Sequence, residues 1–156
     1  MIEYNELKPP YSYELNKALM LIQKVFIDCI APQYSEEGVK IFLEFNEQTN
    51  TIERLENNGF MIIAKEGNNI IGVIEVKDYT HITRFFVDVE FQGQGIGRKL
   101  FFMALKKCMM YNDNIDCLSV NSSPNSVNIY EHLGFVKESS LTEKNGIKFM
   151  PMKYKL

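Results

Sequence analysis

Apolar residues in the first third of the chain recur at helical spacing. Leu15, Ala18, Leu19, Ile22, Phe26 and Cys29 would share one face of a helix capped by Ser12 and ended by Pro32. Residues 2–5 suit a short strand that Pro9-Pro10 breaks off. A second helix is expected over residues 35–45, with Val39, Phe42 and Leu43 inward and Glu36, Glu37, Glu44 and Glu47 outward. Residues 51–57 read as a further helical turn stopped by Asn58-Gly59.

The pattern then changes period. Residues 60–65 and 70–76 are nearly continuous apolar runs joined by Gly67-Asn68-Asn69, a hairpin signal. Residues 80–87 form a third strand, in which simple alternation puts His81, Thr83, Phe85 and Val87 on one face. The helix Ile96–Tyr111 follows, with Gly97, Leu100, Phe101, Ala104 and Cys108 as its apolar stripe. The strand at 117–121 comes next, and the helical crossover makes it parallel to its predecessor. Ser123-Pro124 opens a short helix with apolar contacts from Val127, Ile129, Tyr130 and Leu133, and Gly134 closes it. Residues 135–141 and 147–154 read as an antiparallel pair closed by Asn145-Gly146, with Pro151 calling for an edge or a bulge. An exposed edge at 147–154 would allow a homodimer.

Composition narrows the class. At 156 residues, 46% hydrophobic and 24% charged, the chain reads as one globular domain over 1–156. No apolar run nears the roughly 20 residues that span a bilayer, so no membrane partner is expected. The first ten residues are acidic and lack an apolar centre, unlike a signal peptide. A net charge of −3 argues against a nucleic-acid partner. Cys29, Cys108 and Cys117 lack metal spacing and are odd in number, which suits reduced thiols in a cytoplasmic protein with no metal site.

The candidate chemistry starts at Gln92-Gly93-Gln94-Gly95-Ile96-Gly97, between a strand and a helix. Glycines let the backbone approach a ligand closely, and the first N–H groups of a helix have no helical partner. Together they make a phosphate cradle, aided by the helix dipole. The dinucleotide pattern would need a third glycine where Arg98 stands, and an acidic residue after the next strand is missing. No Lys-Ser or Lys-Thr pair follows, as a P-loop would need. The pattern Q-x-x-G-x-G is matched in full by Gln92, Gly95 and Gly97.

That pattern, with the later segment LSVNSSPNSVNIYEHLGF at 118–135, resembles the GNAT N-acetyltransferases. The resemblance covers 60–154 well and 1–59 loosely. It implies an α/β (α+β) GNAT fold. In that fold a mixed, mostly antiparallel sheet has helices on both faces, and a splayed parallel strand pair binds the cofactor. It implies acetyl-CoA as acyl donor. Main-chain groups of Val87 and Val89 would pair with its pantetheine. Backbone N–H groups of Gln92, Gly93, Gln94, Gly95, Ile96 and Gly97 would hold its pyrophosphate, with Arg98 and Lys99 nearby. Asn121 and Ser126 would complete the cofactor contacts, and a backbone N–H near Val87 would hold the oxyanion. Tyr130 would be the general acid. His81 matches a strand position where relatives place a base; Glu75, Asp78 or solvent are the other readings. The acceptor would be a small-molecule, peptide or protein amine. A non-catalytic acyl-CoA-binding module and a nucleotide-dependent Rossmann-type enzyme are the alternative classes. A carboxylate-rich α-helical face at Glu36, Glu37, Glu44 and Glu47 would favour a cationic amine.

Overall fold

The computed structural model describes residues 1–11 and 13–156; the expected cap Ser12 lies outside the described residues. Strands β1 (Ile2–Glu6), β2 (Gly59–Glu66), β3 (Asn69–Lys77), β4 (His81–Val87), β5 (Cys117–Ser122), β6 (Val136–Lys137), β7 (Thr142–Lys144) and β8 (Ile147–Lys155) build the sheet. Its order is β1-β2-β3-β4-β5-β8-β6, and β7 also pairs with β8. Every pairing is antiparallel except β4 with β5.

Helices α1 (Tyr13–Val25), α2 (Glu36–Phe45) and α3 (Gln48–Glu56) cover one face. Helices α4 (Ile96–Tyr111) and α5 (Val127–Leu133) cover the other. Each face has its own apolar core. Leu15, Ile22, Phe26, Leu55, Met61, Ile63, Val73 and Phe86 pack beneath α1–α3. Ile62, Ile74, Ile82, Leu100, Phe101, Leu118, Val120 and Tyr130 pack beneath α4 and α5. This two-sided burial explains why β2 and β3 read as continuous apolar runs.

Local chemistry sets the helix ends. Ser35 caps α2, its Oγ accepting from the Gly38 N–H at 3.1 Å. Gly134 ends α5 in the left-handed region at φ 111°. After α1 the chain widens into a π-helical turn, Phe26–Ile30. That turn leaves Phe26 buried but rotates Cys29 out of the apolar stripe, so Cys29 is exposed rather than inward. Ile129 likewise faces solvent instead of packing.

The last strands differ from the sequence reading. Residues 135–141 give only the two-residue β6, and the pairing of β8 then passes to β7. Strand β8 is therefore covered by β5 on one side and by β6 and β7 on the other, and is not the exposed edge expected at 147–154. Pro151 falls between the residues paired with β6 and those paired with β7, so neither ladder needs the N–H it lacks.

Two register shifts matter for the site. One lies in β2–β3, between Ala64 and Lys65. The other lies in β3–β4, where Val76 pairs with Ile82 but Glu75 pairs with Arg84, leaving Thr83 as the extra residue of a bulge. Side chains opposite each other on paired strands share a face. His81, opposite Lys77, therefore shares the α1–α3 face with Arg84 and Phe86. Ile82, Phe85 and Val87 lie on the α4 face. Simple alternation put His81 with Phe85 and Val87; the bulge at Thr83 reverses it.

Candidate active site

Strands β4 and β5 are bonded at one end only. The parallel register covers His81 with Ser119 and Ile82 with Val120, while β4 runs on to Val87. Beyond that point the strands part. The Asp88 N–H donates to the Ile71 carbonyl at 2.8 Å, toward β3. In a strand, successive residues aim their polar groups to opposite sides, so the N–H and C=O of Val87 point into the gap. On the other wall the Ser119 N–H donates to the Thr80 carbonyl at 2.9 Å. Asn121, two residues on, turns its backbone the same way; in the Ile82–Val120 pairing its N–H makes the last ladder bond, onto Ile82, and its carbonyl faces the gap.

The glycine loop sits at the open end. Gly93 and Gly95 have φ of 79° and 84°, and a Cβ at either would meet no atom within 4 Å. Open space together with left-handed backbone makes an exposed cradle. Gly95 is the N-cap of α4, and the Lys99 N–H is the first to close a helical turn, onto the Gly95 carbonyl at 3.0 Å. The N–H groups of Gly93, Gln94, Gly95, Ile96, Gly97 and Arg98 have no main-chain partner among the described residues. The Gln92 side chain donates through Nε2 to the Val87 carbonyl at 3.0 Å, tying the loop to the end of β4. That bond occupies the Val87 carbonyl and leaves its N–H.

The cationic side chains beside the loop lean away from it. The Arg98 guanidinium lies 5.1 Å from the Phe102 ring, and the Lys99 ammonium 4.6 Å from the Tyr4 ring. Both residues are exposed. Val89 lies past the strand in the short 3-10 turn Val89–Phe91 and is exposed. Ser126 is half-buried and its Oγ accepts from the Ser123 Oγ at 2.9 Å.

Tyr130 reaches the gap from α5. Its ring packs edge-on to Phe85 of β4 at 6.0 Å and to Phe135 at 5.3 Å. Its hydroxyl forms no hydrogen bond with the described residues. Every sealed side-chain nitrogen or oxygen among those residues has a partner, so that hydroxyl touches solvent. Burial of the ring pushes the phenol well above its ordinary range, and it stays protonated across neutral pH.

His81 is half-buried on the other face, its Nδ1 2.7 Å from the Ser119 Oγ. Burial, then the Lys77 ammonium, hold its pKa below the ordinary value, with Asp78 acting against them. It is therefore neutral at physiological pH, as a base must be. Asp78 lies in the β3–β4 turn at φ 55° and is exposed.

Glu75 does not have a base's surroundings. Its side chain is 1% exposed and accepts from Arg54 Nε at 2.9 Å and Arg84 Nε at 2.7 Å. Arg84, wholly buried, also donates to Asn46 Oδ1 and to Thr51 Oγ1 at 3.1 Å. Arg54 also donates to the Phe45 carbonyl at 2.8 Å. This cluster went unseen in the sequence, although Glu75 and Arg84 each interrupt an apolar strand run. A lone charge in such a run is a usable signal of a buried pair.

Comparison with known proteins places this geometry. A family model described as "Acetyltransferase (GNAT) domain" matches residues 30–156. A curated relative, an uncharacterised N-acetyltransferase ycf52 of Gracilaria tenuistipitata var. liui, is 38% identical over 61 residues. That match spans 39% of this chain and 30% of the relative. A GCN5-related N-acetyltransferase structure from Rhodopseudomonas palustris superposes with a TM-score of 0.80 at 18% identity, over 99% of this chain and 95% of that one. PaiA N-acetyltransferase from Thermoplasma acidophilum, solved in complex with coenzyme A, gives 0.78 at 21% identity, over 100% and 99% of the two chains.

Proposed function

The chain belongs to the GNAT acetyltransferase family and is an acyltransferase, and we propose that it moves an acetyl group from acetyl-CoA to a primary amine by direct attack. The observation that carries this is the run of unpartnered N–H groups at 93–98, opening onto the unpaired edges of β4 and β5. The loop's exposed amides and its two left-handed glycines fit a pyrophosphate. The free N–H of Val87 and the free carbonyl of Asn121 fit an amide-bearing arm, with Val89 and Ser126 at its margins.

Acetyl-CoA supplies an activated acyl group as its thioester. His81 takes the proton that the acceptor amine gives up as its nitrogen bonds the acyl carbon. A β4 backbone N–H that faces the gap nearer His81 donates to the oxygen that gains charge, and preorganised donors of this kind are worth several kcal/mol. Val87, six residues along the extended strand and roughly 20 Å from His81, serves the arm instead. Tyr130 gives its proton to the departing sulfur, a role that general acids fill with gains of roughly 10²–10⁴-fold. The products are an amide and a free thiol. Asp78 or solvent can relay the amine proton; Glu75, held by two guanidiniums, stays out of the exchange.

Residues 1–156 act in this reading as one catalytic domain. Three unpaired cysteines support a reducing compartment such as the cytoplasm. No helix among the described residues is long and apolar enough to cross a membrane.

The test has two steps. Acetyl-CoA should raise the melting temperature, and NAD and ATP should not. Thiol release should then appear with an amine panel. Stabilisation without thiol release for any amine would make the chain an acyl-CoA-binding module, and stabilisation by NAD alone would reject the family's cofactor.

A further inference from the structure

A cavity of about 450 Å³ opens on the α1–α3 face of the sheet, lined by Phe45, Asn50, Glu53, Arg54, Asn57 and Lys77. Its position follows from the strand register. Lys77 ends β3 and stands directly opposite His81 on β4. Such neighbours share a face, with Cβ atoms about 4.5–5.5 Å apart. The cavity thus begins beside the candidate base and extends away from the glycine loop.

Its charge is unbalanced. Glu75 is shared by Arg54 and Arg84, so two guanidiniums lean on one carboxylate. Arg84 is sealed, while Arg54 keeps 14% of its side chain exposed and forms part of the cavity wall. Its guanidinium covers the Phe45 ring at 3.6 Å. Lys77 is exposed and makes no ion pair among the described residues. Against these stands one carboxylate, that of Glu53. Asn50 and Asn57 each donate from Nδ2 to a carbonyl, of Glu44 and Glu53, and each keeps its amide oxygen as an acceptor and one further N–H. Glu36, Glu37, Glu44 and Glu47, the acidic face of α2 and its end, are exposed and do not line this cavity.

We propose that the acceptor is an amine whose nitrogen and carboxylate are separated by one or two carbons, as in an α-amino acid, and that this cavity seats it. The proposal rests on the acetyl-transfer reading above. The amine lies at His81 and the carboxylate at the Lys77 ammonium, with Arg54 behind it. Two neighbouring side chains on one sheet face can serve both groups only if the link between them is short. The rest of the acceptor extends over Phe45 and the amide oxygens of Asn50 and Asn57. An acceptor whose only charged groups are ammoniums would place positive charge against Lys77 and Arg54.

Matched acceptors test this: phenylalanine against phenethylamine, and lysine against cadaverine, each with acetyl-CoA at a pH where His81 is neutral. The carboxylated member should lead in kcat/KM by at least tenfold. Lys77→Met should erase that preference, chiefly by raising KM for the amino acid, and Lys77→Arg should restore most of it. Amino acid should also raise the melting temperature of the CoA-saturated protein, and less so for Lys77→Met. Equal or better use of the decarboxylated amines overturns the proposal and leaves acetyl transfer standing. So does a preference that Lys77→Met does not touch. Failure to bind acetyl-CoA overturns both.

Discussion

Arg84 donates through Nε to Glu75 at 2.7 Å, with the Arg84 side chain wholly buried and that of Glu75 1% exposed. The two residues are opposite each other across β3 and β4, just beyond the bulge at Thr83. Thr83 itself donates from Oγ1 to the Glu75 carbonyl at 3.3 Å. Arg54, Asn46 and Thr51 complete the cluster, so the ends of α2 and α3 are tied to the same point of the sheet. Asn46 also donates to the Leu19 carbonyl at 3.1 Å, which brings in α1. The pair thus fixes helices and strand register together.

Removing one partner of such a pair leaves a buried charge without its counterion. Glu75→Ala should therefore cost about 3–5 kcal/mol of unfolding free energy, read from urea denaturation. Burial alone would raise the pKa of Glu75, but Arg84 and Arg54 outweigh it and hold the carboxyl below its ordinary 4.5. A depressed folded pKa means the stabilisation is present above about pH 4.5 and fades as pH falls through the folded value. The wild-type urea midpoint should drop over that acid range, and the drop should be smaller in Glu75→Gln.

The loop glycines should not respond alike to alanine. Gly93 and Gly95 have positive φ, where a Cβ strains the backbone by about 1–3 kcal/mol. Gly97 is helical, and a Cβ there would sit 3.5 Å from the Phe85 ring, an ordinary contact. Gly95→Ala should weaken acetyl-CoA binding by roughly tenfold or more in calorimetry. Gly97→Ala should stay within a few-fold of wild type.

Tyr130→Phe keeps the ring between Phe85 and Phe135 and removes only the hydroxyl. Acetyl-CoA affinity and melting temperature should hold, while turnover falls by at least about tenfold. Unchanged turnover would assign Tyr130 to packing.

His81 should set the acid limb of kcat/KM. Its pKa is already held below the ordinary value by burial and by Lys77, with Asp78 opposing. Removing a positive neighbour raises an imidazole pKa, so Lys77→Met should move the acid limb to higher pH. Asp78→Asn should move it lower. His81→Ala should lower kcat/KM most above the His81 pKa, where the imidazole is neutral and able to take a proton, and should flatten the acid limb. A profile of wild-type shape in His81→Ala would pass the role to solvent.

Much of this site was legible before any fold was known. The glycine loop, the start of α4 and the Ser-Pro turn into α5 follow from backbone rules that act over a few residues. Thr83, by contrast, gives no local sign of a bulge; only pairing with β3 displaces it. Glu75 looked available as a base until helix α3 brought Arg54 to its second oxygen. Strand β8 looked like an edge until β6 and β7 divided its length between them.

By itself the sequence determined the main helices and the strands as far as β5, and that a strand-to-helix turn could present N–H groups to an anion. Those properties come from dihedral preference, apolar period and hydrogen bonds between near neighbours. The tertiary structure alone decided which face His81 occupies, that Lys77 stands beside it, and that Glu75 is buried between two arginines. Register and burial depend on contacts between segments far apart in the chain, and a single displaced residue in a strand turns every side chain beyond it to the other side.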